Sequence, residues 1–477
     1  MHPPNARPGS IPALVVLLAS CAVGPDFARP AAPTTPGYTA EPTPAAMAPS
    51  TGGSEQHLEL AEEISSEWWR LFRSPELDGV IERALEDSPN LAAARAALAE
   101  AQEVVAATRG ALFPQLDAVG GVRREHSPIG NGGSATTANL YSVGPTIAYA
   151  VDVFGGVRRS VEQQTALAEF QRDELAAAWL TLTGNSVVDS VAIASLRAQL
   201  DASEELVEED RQNLELVQRK YEAGKAARSD VLVAQTQLAS DLARLPTLRQ
   251  QLAVARHALS TLVGQVPAEW SPPDFDLERF ELPSELPLSL PSELVRQRPD
   301  ILAAEAQLHA ASAAIGVATA QLFPSLTLSG LLTRESLVTG GAGTAWSAAA
   351  QLAAPVFHGG TLLAERRGAI DAYQASLASY QETVLTGFEQ VADTLRALAH
   401  DADLIDAEKQ LLVTASDSLS LQRISYEAGK SDLLLLLAAQ RAYQEARLGF
   451  AQAEGQRLSD TAQLFVALGG GWWEAGI

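Results

Sequence analysis

Catalysis and metal binding need polar side chains at particular spacings, and this 477-residue chain offers few such sets. Its seven histidines, at positions 2, 57, 126, 257, 309, 358 and 400, show no metal-ligand spacing. Gly429-Lys430-Ser431 imitates the end of a phosphate-binding loop, but the earlier glycine such a loop requires is Ile424. Gly341-Ala342-Gly343 lacks a third glycine and precedes a strand pattern instead of a helix, and no Gly-x-Ser-x-Gly elbow occurs. These residues predict neither an enzyme nor a bound metal or cofactor. The one cysteine, Cys21, is different. It follows Leu18-Ala19-Ser20, the apolar run Ile11 to Ala19 and, upstream, Arg7. That is a basic start, an apolar run too short to span a bilayer, and a small-residue cleavage site.

Leu18-Ala19-Ser20-Cys21 resembles the bacterial lipobox, in which the cysteine is lipidated and becomes the first residue. The reading is therefore a signal peptide over 1–20 and a covalent lipid on Cys21 as the only attached group. An ordinary signal peptide that happens to contain a cysteine is the alternative, but the thiol has no second cysteine to pair with. Such a lipid anchors a chain without making it span. No apolar stretch approaches the roughly 20 residues of a transmembrane helix, the longest candidate being Leu433 to Ala439. If the chain crosses a membrane, it must do so as a β-barrel. The formal net charge of −24 makes nucleic acid and anionic headgroups unsuitable partners for its body.

The elements that carry these residues are written twice. Leu112-Phe113-Pro114 returns as Leu322-Phe323-Pro324, Val153-Phe154-Gly155-Gly156 as Val356-Phe357-His358-Gly359-Gly360, and Tyr221-Glu222-Ala223-Gly224-Lys225 as Tyr426-Glu427-Ala428-Gly429-Lys430. A duplication of this length predicts a pseudo-symmetric architecture. Residues 21–60, rich in Pro, Ala and Thr, read as a lipidated extended tether. The first repeat follows over 61–264, a Pro-rich connector over 265–297, the second repeat over 298–471 and a short tail over 472–477. Each repeat reads helix, strand, loop, strand, long helix, tight turn, return helix.

The strands fall at about 114–126 and 140–154, then about 324–336 and 345–357. Odd positions from Tyr141 to Val153 are apolar apart from Pro145, and the even ones are small or polar. Leu326, Leu328 and Leu332 likewise alternate with Ser325, Thr327, Ser329 and Thr333. One apolar and one polar face is what a barrel strand between lipid and a wet lumen requires, although a half-buried soluble hairpin has the same pattern. Gly130-Asn131-Gly132-Gly133-Ser134 and Gly340-Gly341-Ala342-Gly343 read as exposed loops between paired strands.

Arg158 to Glu222 and Thr361 to Glu427 contain no proline, giving helices of 65 and 67 residues, about 100 Å each if continuous. Apolar residues recur every seven positions at Ile193, Leu200, Val207, Leu214 and Tyr221, and again at Leu398, Ile405, Leu412, Leu419 and Tyr426. This is a coiled-coil seam, used identically in both halves. Return helices over about 226–263 and 431–467 are shorter, and each is expected to stack end to end on the helix that opens its repeat, 89–111 or 299–321. Pro246 breaks or kinks the first return helix and has no counterpart in the second.

Two repeats supply four strands, whereas membrane barrels begin at about eight. An open sheet in lipid leaves unpaired backbone groups costing several kcal/mol each, so the chain must share a barrel with copies of itself. Three copies give twelve strands; two or four would also close.

Several short segments, in order, resemble the TolC-like outer-membrane efflux proteins, specifically the lipoprotein branch serving RND-type pumps. They are Cys21-Ala22-Val23-Gly24-Pro25-Asp26-Phe27, Trp68-Trp69-Arg70-Leu71-Phe72, Arg298-Pro299-Asp300-Ile301, Leu322-Phe323-Pro324 and Ala467-Leu468-Gly469-Gly470-Gly471-Trp472. The resemblance implies an α+β membrane protein: a homotrimeric 12-stranded transmembrane β-barrel, four strands per chain, continuous with a long α-helical coiled-coil periplasmic tunnel. It implies a small-molecule exit duct in the outer membrane of a Gram-negative bacterium, with outer-membrane lipid, a periplasmic adaptor protein and an inner-membrane RND transporter as partners. Ala22, being no aspartate, permits transfer of the lipoprotein to that membrane. A type I protein-secretion duct is the same object in another pathway, and a soluble periplasmic coiled-coil adaptor or scaffold is the alternative of a different class.

The resemblance also implies roles at the helix turns, whose tips are Gly224 and Gly429. Leu434 matches a hydrophobic ring residue of the periplasmic aperture, Arg441 a basic residue on the same inner helix, and Asp230 with Tyr426 the two members of a latch between helix pairs. Aspartates of some family apertures align with Leu435 and Ala438, and an arginine of some members with Ser431. An apolar plug over Leu433 to Leu437 is therefore expected in place of an anionic mouth, since hydrophobic constrictions gate by dewetting. The same five leucines also suit a coiled-coil core, and Asp230 with Ser229 suits a helix N-cap.

Overall fold

The computed structural model describes residues 22–39, 46–47, 56–60, 64–127, 136–337 and 341–474. The expected signal peptide, Cys21, and the loop residues Gly130 to Ser134 and Gly340 lie outside the described residues. Seven strands are described: β1 (Ala46–Met47), β2 (Gln56–Leu60), β3 (Gln115–Ser127), β4 (Thr136–Val151), β5 (Glu285–Leu288), β6 (Ser325–Leu337) and β7 (Ala342–Ala353). The helices are α1 (Pro75–Asp87), α2 (Pro89–Gly110), α3 (Gly156–Glu222), α4 (Arg228–Leu242), α5 (Leu245–Leu262), α6 (Pro291–Gln297), α7 (Pro299–Ala320), α8 (Thr361–Glu427) and α9 (Leu433–Ala467). They divide between two compact units, one comprising 1–30, 97–172 and 303–381, the other 31–96, 173–302 and 382–477.

The first unit holds an antiparallel four-stranded sheet in the order β3-β4-β6-β7. The second strand of each hairpin stops earlier than its alternation suggests. Asp152 accepts hydrogen bonds from the Val157 and Arg158 amides at 3.0 Å and so caps the start of α3. Val356 and Phe357, placed in a strand by the sequence reading, lie beyond β7 in irregular, exposed chain. Within β4, no pairing to β6 occurs at Gly144-Pro145. Proline brings no N–H to the ladder, and a Cβ on Gly144 would meet the Leu332 carbonyl oxygen at 1.9 Å.

The second unit is rooted in the Trp68–Phe72 turn. Trp68 stacks on Phe465 with centroids 5.2 Å apart, and Trp69 meets Trp179 at 5.8 Å. Both tryptophans and Phe72 are buried, so one short segment ties α3 to α9. The end of α5 is fastened to the end of α1, Gln265 Nε2 donating to Asp87 Oδ2 at 3.2 Å just before α2 begins. In the second repeat Arg298, just ahead of α7, donates to the last α9 carbonyl, Ala467 O, at 2.8 Å. The return helix thus meets the opening helix in both repeats. Pro246 sits in the first turn of α5, after the α4–α5 break, whereas α9 runs unbroken for 35 residues.

Two segments carry elements of their own, and one expectation needs correction. Within the tether β1 and β2 join a three-stranded sheet with β5. The connector contains β5 and α6. Finally, α7 is long and apolar enough in composition to cross a bilayer. More than half of its apolar window is buried within the protein, and its Glu305 and His309 are engaged by Arg29 and Glu162. The hydropathy of α7 reflects helix packing.

Candidate functional site

The sheet is the first functional surface. Register places Leu116, Ile147, Gly330 and Ala348 in one cross-strand row, and Tyr149, Leu328 and Ala350 in another. Val122 pairs with Tyr141, Leu332 with Trp346 and Leu326 with Leu352 on the same face. The opposite face carries Asp117, Thr146, Ser142, Ser329 and Ser347. Val122, Val143, Trp346 and Leu352 are exposed, Trp346 by 77%. A soluble hairpin would cover its apolar face. Here a continuous apolar face is left bare, and the outer edges of β3 and β7 have no strand beside them among the described residues.

The segment after Cys21 is fastened at the foot of this sheet. Val23 N donates to Phe154 O at 3.0 Å. Arg159, buried on α3, donates to Val23 O at 3.2 Å and to Asp26 at 2.7 Å. Phe27 stacks on His309 at 4.4 Å.

The turns at Gly224 and Gly429 form a second surface and have the same construction. Lys225 N bonds Lys220 O at 2.8 Å and Gly224 N bonds Tyr221 O at 2.9 Å; Lys430 N bonds Ser425 O at 2.9 Å and Gly429 N bonds Tyr426 O at 3.1 Å. Gly224 has φ +70° and Gly429 φ +68°, the left-handed helix end that glycine adopts without a Cβ penalty. The return helices then start differently. Asp432 caps α9 by accepting from Leu435 N at 2.9 Å, whereas the equivalent position before α4 is Ala227. There Asp230 reaches back to accept from Ala227 N at 3.0 Å.

This geometry divides the candidate gate residues. Asp230 is engaged by Ala227 and Ser229 and makes no hydrogen bond to Tyr426 within the chain. Tyr426 joins two apolar clusters, one with Val217, Ala234, Leu433 and Leu437, the other with Leu419, Leu436 and Ala439. The Lys220 ammonium lies 3.8 Å from its ring centre. The latch pair is thus not joined inside one chain. The five leucines also separate: Leu433, Leu436 and Leu437 are buried, while Leu434 is 62% exposed and Leu435 is exposed beside it. A plug of all five is excluded by this packing, leaving Leu434 and Leu435 available.

Arg441 leads to residues the sequence reading did not single out. Its Nη2 donates to Gln237 Oε1 at 2.6 Å, and Gln237 Nε2 donates to Asp241 Oδ2 at 2.5 Å. Asp241 on α4 lies within hydrogen-bonding reach of Asp210 on α3. Burial, followed by the hydrogen bond and charge of Asp241, raises the Asp210 carboxyl far above the usual range, with Arg441 opposing. A second pair, Asp401 on α8 and Asp460 on α9, lies against Arg457. Arg457 is wholly buried and donates through Nε and Nη2 to Gln56 Oε1 at 3.1 and 2.9 Å. The signal for both pairs was present in the sequence: Asp210 and Asp401 each fall three positions after a seam residue, Val207 and Leu398, where a coiled coil places an apolar side chain. Among the described residues, no three His, Cys, Asp or Glu side chains converge as metal ligands.

Comparison with known proteins places these surfaces in context. Residues 80–265 and 290–470 match the family described as outer membrane efflux protein. The chain is 33% identical over 431 residues to the pyoverdine export outer membrane protein OpmQ of Pseudomonas aeruginosa, covering 85% of this chain and 87% of that protein. It is 30% identical over 481 residues to the probable efflux pump outer membrane protein TtgC of Pseudomonas putida, covering 98% and 96% respectively. Among solved structures, the outer-membrane channel OprN superposes with a TM-score of 0.84 at 29% identity, over 95% of this chain and 100% of that one.

Proposed function

The chain belongs to the outer membrane efflux protein family, and from that premise we propose that it works as a homotrimer whose twelve strands close one barrel. It is an outer-membrane efflux channel component and not an enzyme. The observation that carries the shared barrel is the four-stranded sheet with one bare apolar face and two outer edges; three copies is the number by which the family resemblance closes it. Lipid covers the apolar face, and copies of the chain pair the edges, β7 of one beside β3 of the next. Closure leaves no backbone group unpaired in the bilayer. The polar face then lines a water-filled lumen, as in other membrane barrels.

Around that barrel we assign the remaining parts. A lipid on Cys21 holds the foot of the sheet at the membrane, supported by the bonds that fix Val23 to Phe154 and Arg159. The helices form a periplasmic tunnel that receives small molecules, such as drugs or toxic compounds, from an RND-type inner-membrane transporter through an adaptor protein. The tips at Gly224 and Gly429 form its periplasmic aperture. Leu434 faces away from the core there, Arg441 is tied to α4, Asp230 caps α4, and Tyr426 packs the turn into the helices.

The test is reconstitution of the lipidated, detergent-extracted protein in planar bilayers. Stepwise conductance is the expected result, and its absence would contradict the duct. Asp230→Ala combined with Tyr426→Phe is expected to raise single-channel conductance by loosening the tip, and unchanged conductance would remove both residues from the gate.

A further inference from the structure

We infer that the Asp210–Asp241 carboxyl pair, relayed through Gln237, is a proton-operated lock that positions Arg441 and with it the first turns of α9. The inference deepens the duct reading above by assigning a regulation to the same aperture.

The geometry carries it. Asp210 and Asp241 are each 2% exposed, yet both Asp210 oxygens and Asp241 Oδ1 have no other hydrogen-bond donor. Arg244 Nε is 3.8 Å from Asp241, too long for a hydrogen bond. Two ionised carboxylates in that setting would repel and stay undersolvated, whereas one shared proton supplies the missing donor. The pair then accepts from Gln237, whose amide oxygen is thereby aimed at Arg441. The chain of contacts joins α3, α4 and α9 without any residue of the tip leucines.

The charged groups around the pair are few. Glu209 on α3 adds negative charge and favours the protonated form, but it is itself bound at 3.1 Å by Arg423 of α8. Arg441 of α9 favours ionisation, and Arg244, beyond the end of α4, lies on the Asp241 side. When the proton leaves to solvent base, both carboxylates are ionised and separate. Repulsion carries Asp241 off Gln237, which loses its fixed position, and Arg441 loses its acceptor. The pull of the ionised pair on Arg441 is the weaker effect, because that guanidinium is exposed and touches only the neutral amide. Acid therefore holds α9 against α4, and alkali frees it. One proton linked in this way changes the held-to-released ratio about tenfold per pH unit between the carboxyl's solvated and buried titration ranges.

The experiment uses the full-length lipidated protein in planar bilayers at constant salt, with conductance recorded from about pH 6 to about pH 9, across the span where the ratio shifts. The wild type is expected to move to larger conductance as pH rises. Asp210→Asn keeps a donor but cannot ionise, so its conductance should stay at the low-pH value throughout; Asp241→Asn should behave alike. Gln237→Leu, which cuts the relay without touching a charge, should show the released conductance already at the acid end. Preserved pH dependence in both Asn variants would overturn the lock, as would an unaltered Gln237→Leu. Infrared spectra at neutral pH supply a readout that needs no channel. A protonated-carboxyl carbonyl band present in the wild type and reduced in Asp210→Asn supports the pair, and equal bands contradict it. A wild type that shows this band but conducts no ions leaves the pair standing and sinks the duct reading instead.

Discussion

The two return arms of the pseudo-symmetric chain solve one problem in different ways. Each brings an aspartate back against an aspartate of its long helix, Asp241 of α4 against Asp210 of α3, and Asp460 of α9 against Asp401 of α8. In the second arm the helix is unbroken, and a wholly buried arginine of the same helix, Arg457, compensates the pair. Gln56 from the N-terminal sheet holds that arginine in place. In the first arm the helix breaks before Leu245, and the compensating cation is the exposed Arg441, borrowed from the other repeat through a glutamine. One pair is clamped and the other adjustable. The two pairs are not copies of one another, since Asp210 and Asp241 correspond to Ala415 and Ala446 in the second repeat. Each arm carries its own device, and the adjustable one sits on the arm that abuts the candidate aperture residues.

Breaking the clamp should have the largest effect. Arg457→Met leaves two buried acids and Gln56 without their partner, a loss of about 3–5 kcal/mol typical of a broken buried ion pair. Arg441→Met, at an exposed position, should cost under about 1 kcal/mol. Thermal unfolding of the two variants in the same detergent checks the contrast, and equal losses would erase the distinction between clamped and adjustable pairs. The tip leucines sharpen it next. Leu436→Ala, 2% exposed in the wild type, should destabilise by about 2–5 kcal/mol. Leu434→Ala should fall within about 0.5 kcal/mol.

The pH dependence of stability follows from the pairs. Burial and the neighbouring acid push Asp210 up to about 8 and Asp401 up to about 7. The unfolded aspartates titrate near 4, so between that value and the raised ones the folded state holds protons that the unfolded state does not. Their stabilisation is complete below about pH 4 and disappears as pH rises through about 7 and then 8. Each proton contributes a slope of about 1.4 kcal/mol per pH unit. Unfolding followed from about pH 5 to about pH 9 should show stability falling, with Asp401→Asn and Asp210→Asn each removing part of the slope. A rise with pH would contradict the shared protons. The smallest effects belong to the caps. Asp432→Ala should cost about 1 kcal/mol and Asp230→Ala about half that, readable as a difference in midpoint denaturant.

Much of this was legible in the sequence because periodicity reports burial. The period-two face of Leu326, Leu328 and Leu332 survives in the structure. So does the seven-residue seam at Ile193, Val207, Leu398, Ile405 and Leu419, although Tyr221 at its end is exposed. The turn glycines at 224 and 429 are matched to within 2° in φ. What escaped reading depends on contacts distant in sequence. Gln56 meets Arg457 across 401 residues, and no local pattern announces it. Asp432 caps its helix at the position where the first repeat has Ala227. A capping role for Asp230 was legible, but its place three residues inside the helix, reaching back to the Ala227 amide, appears only in the backbone. The leucine run could not be divided by composition; only the helical turn sorts Leu433, Leu436 and Leu437 inward from Leu434 and Leu435. The buried aspartates were written in the heptads, but an acid at a seam position reads as a solvated face until a second acid is found opposite it.

The central claim is that four strands are a third of a wall. The most direct measurement is the native mass of the detergent-extracted protein. The account predicts three chains of about 50 kDa in one particle with the β-sheet buried in detergent. A single chain stable in water without detergent would contradict it.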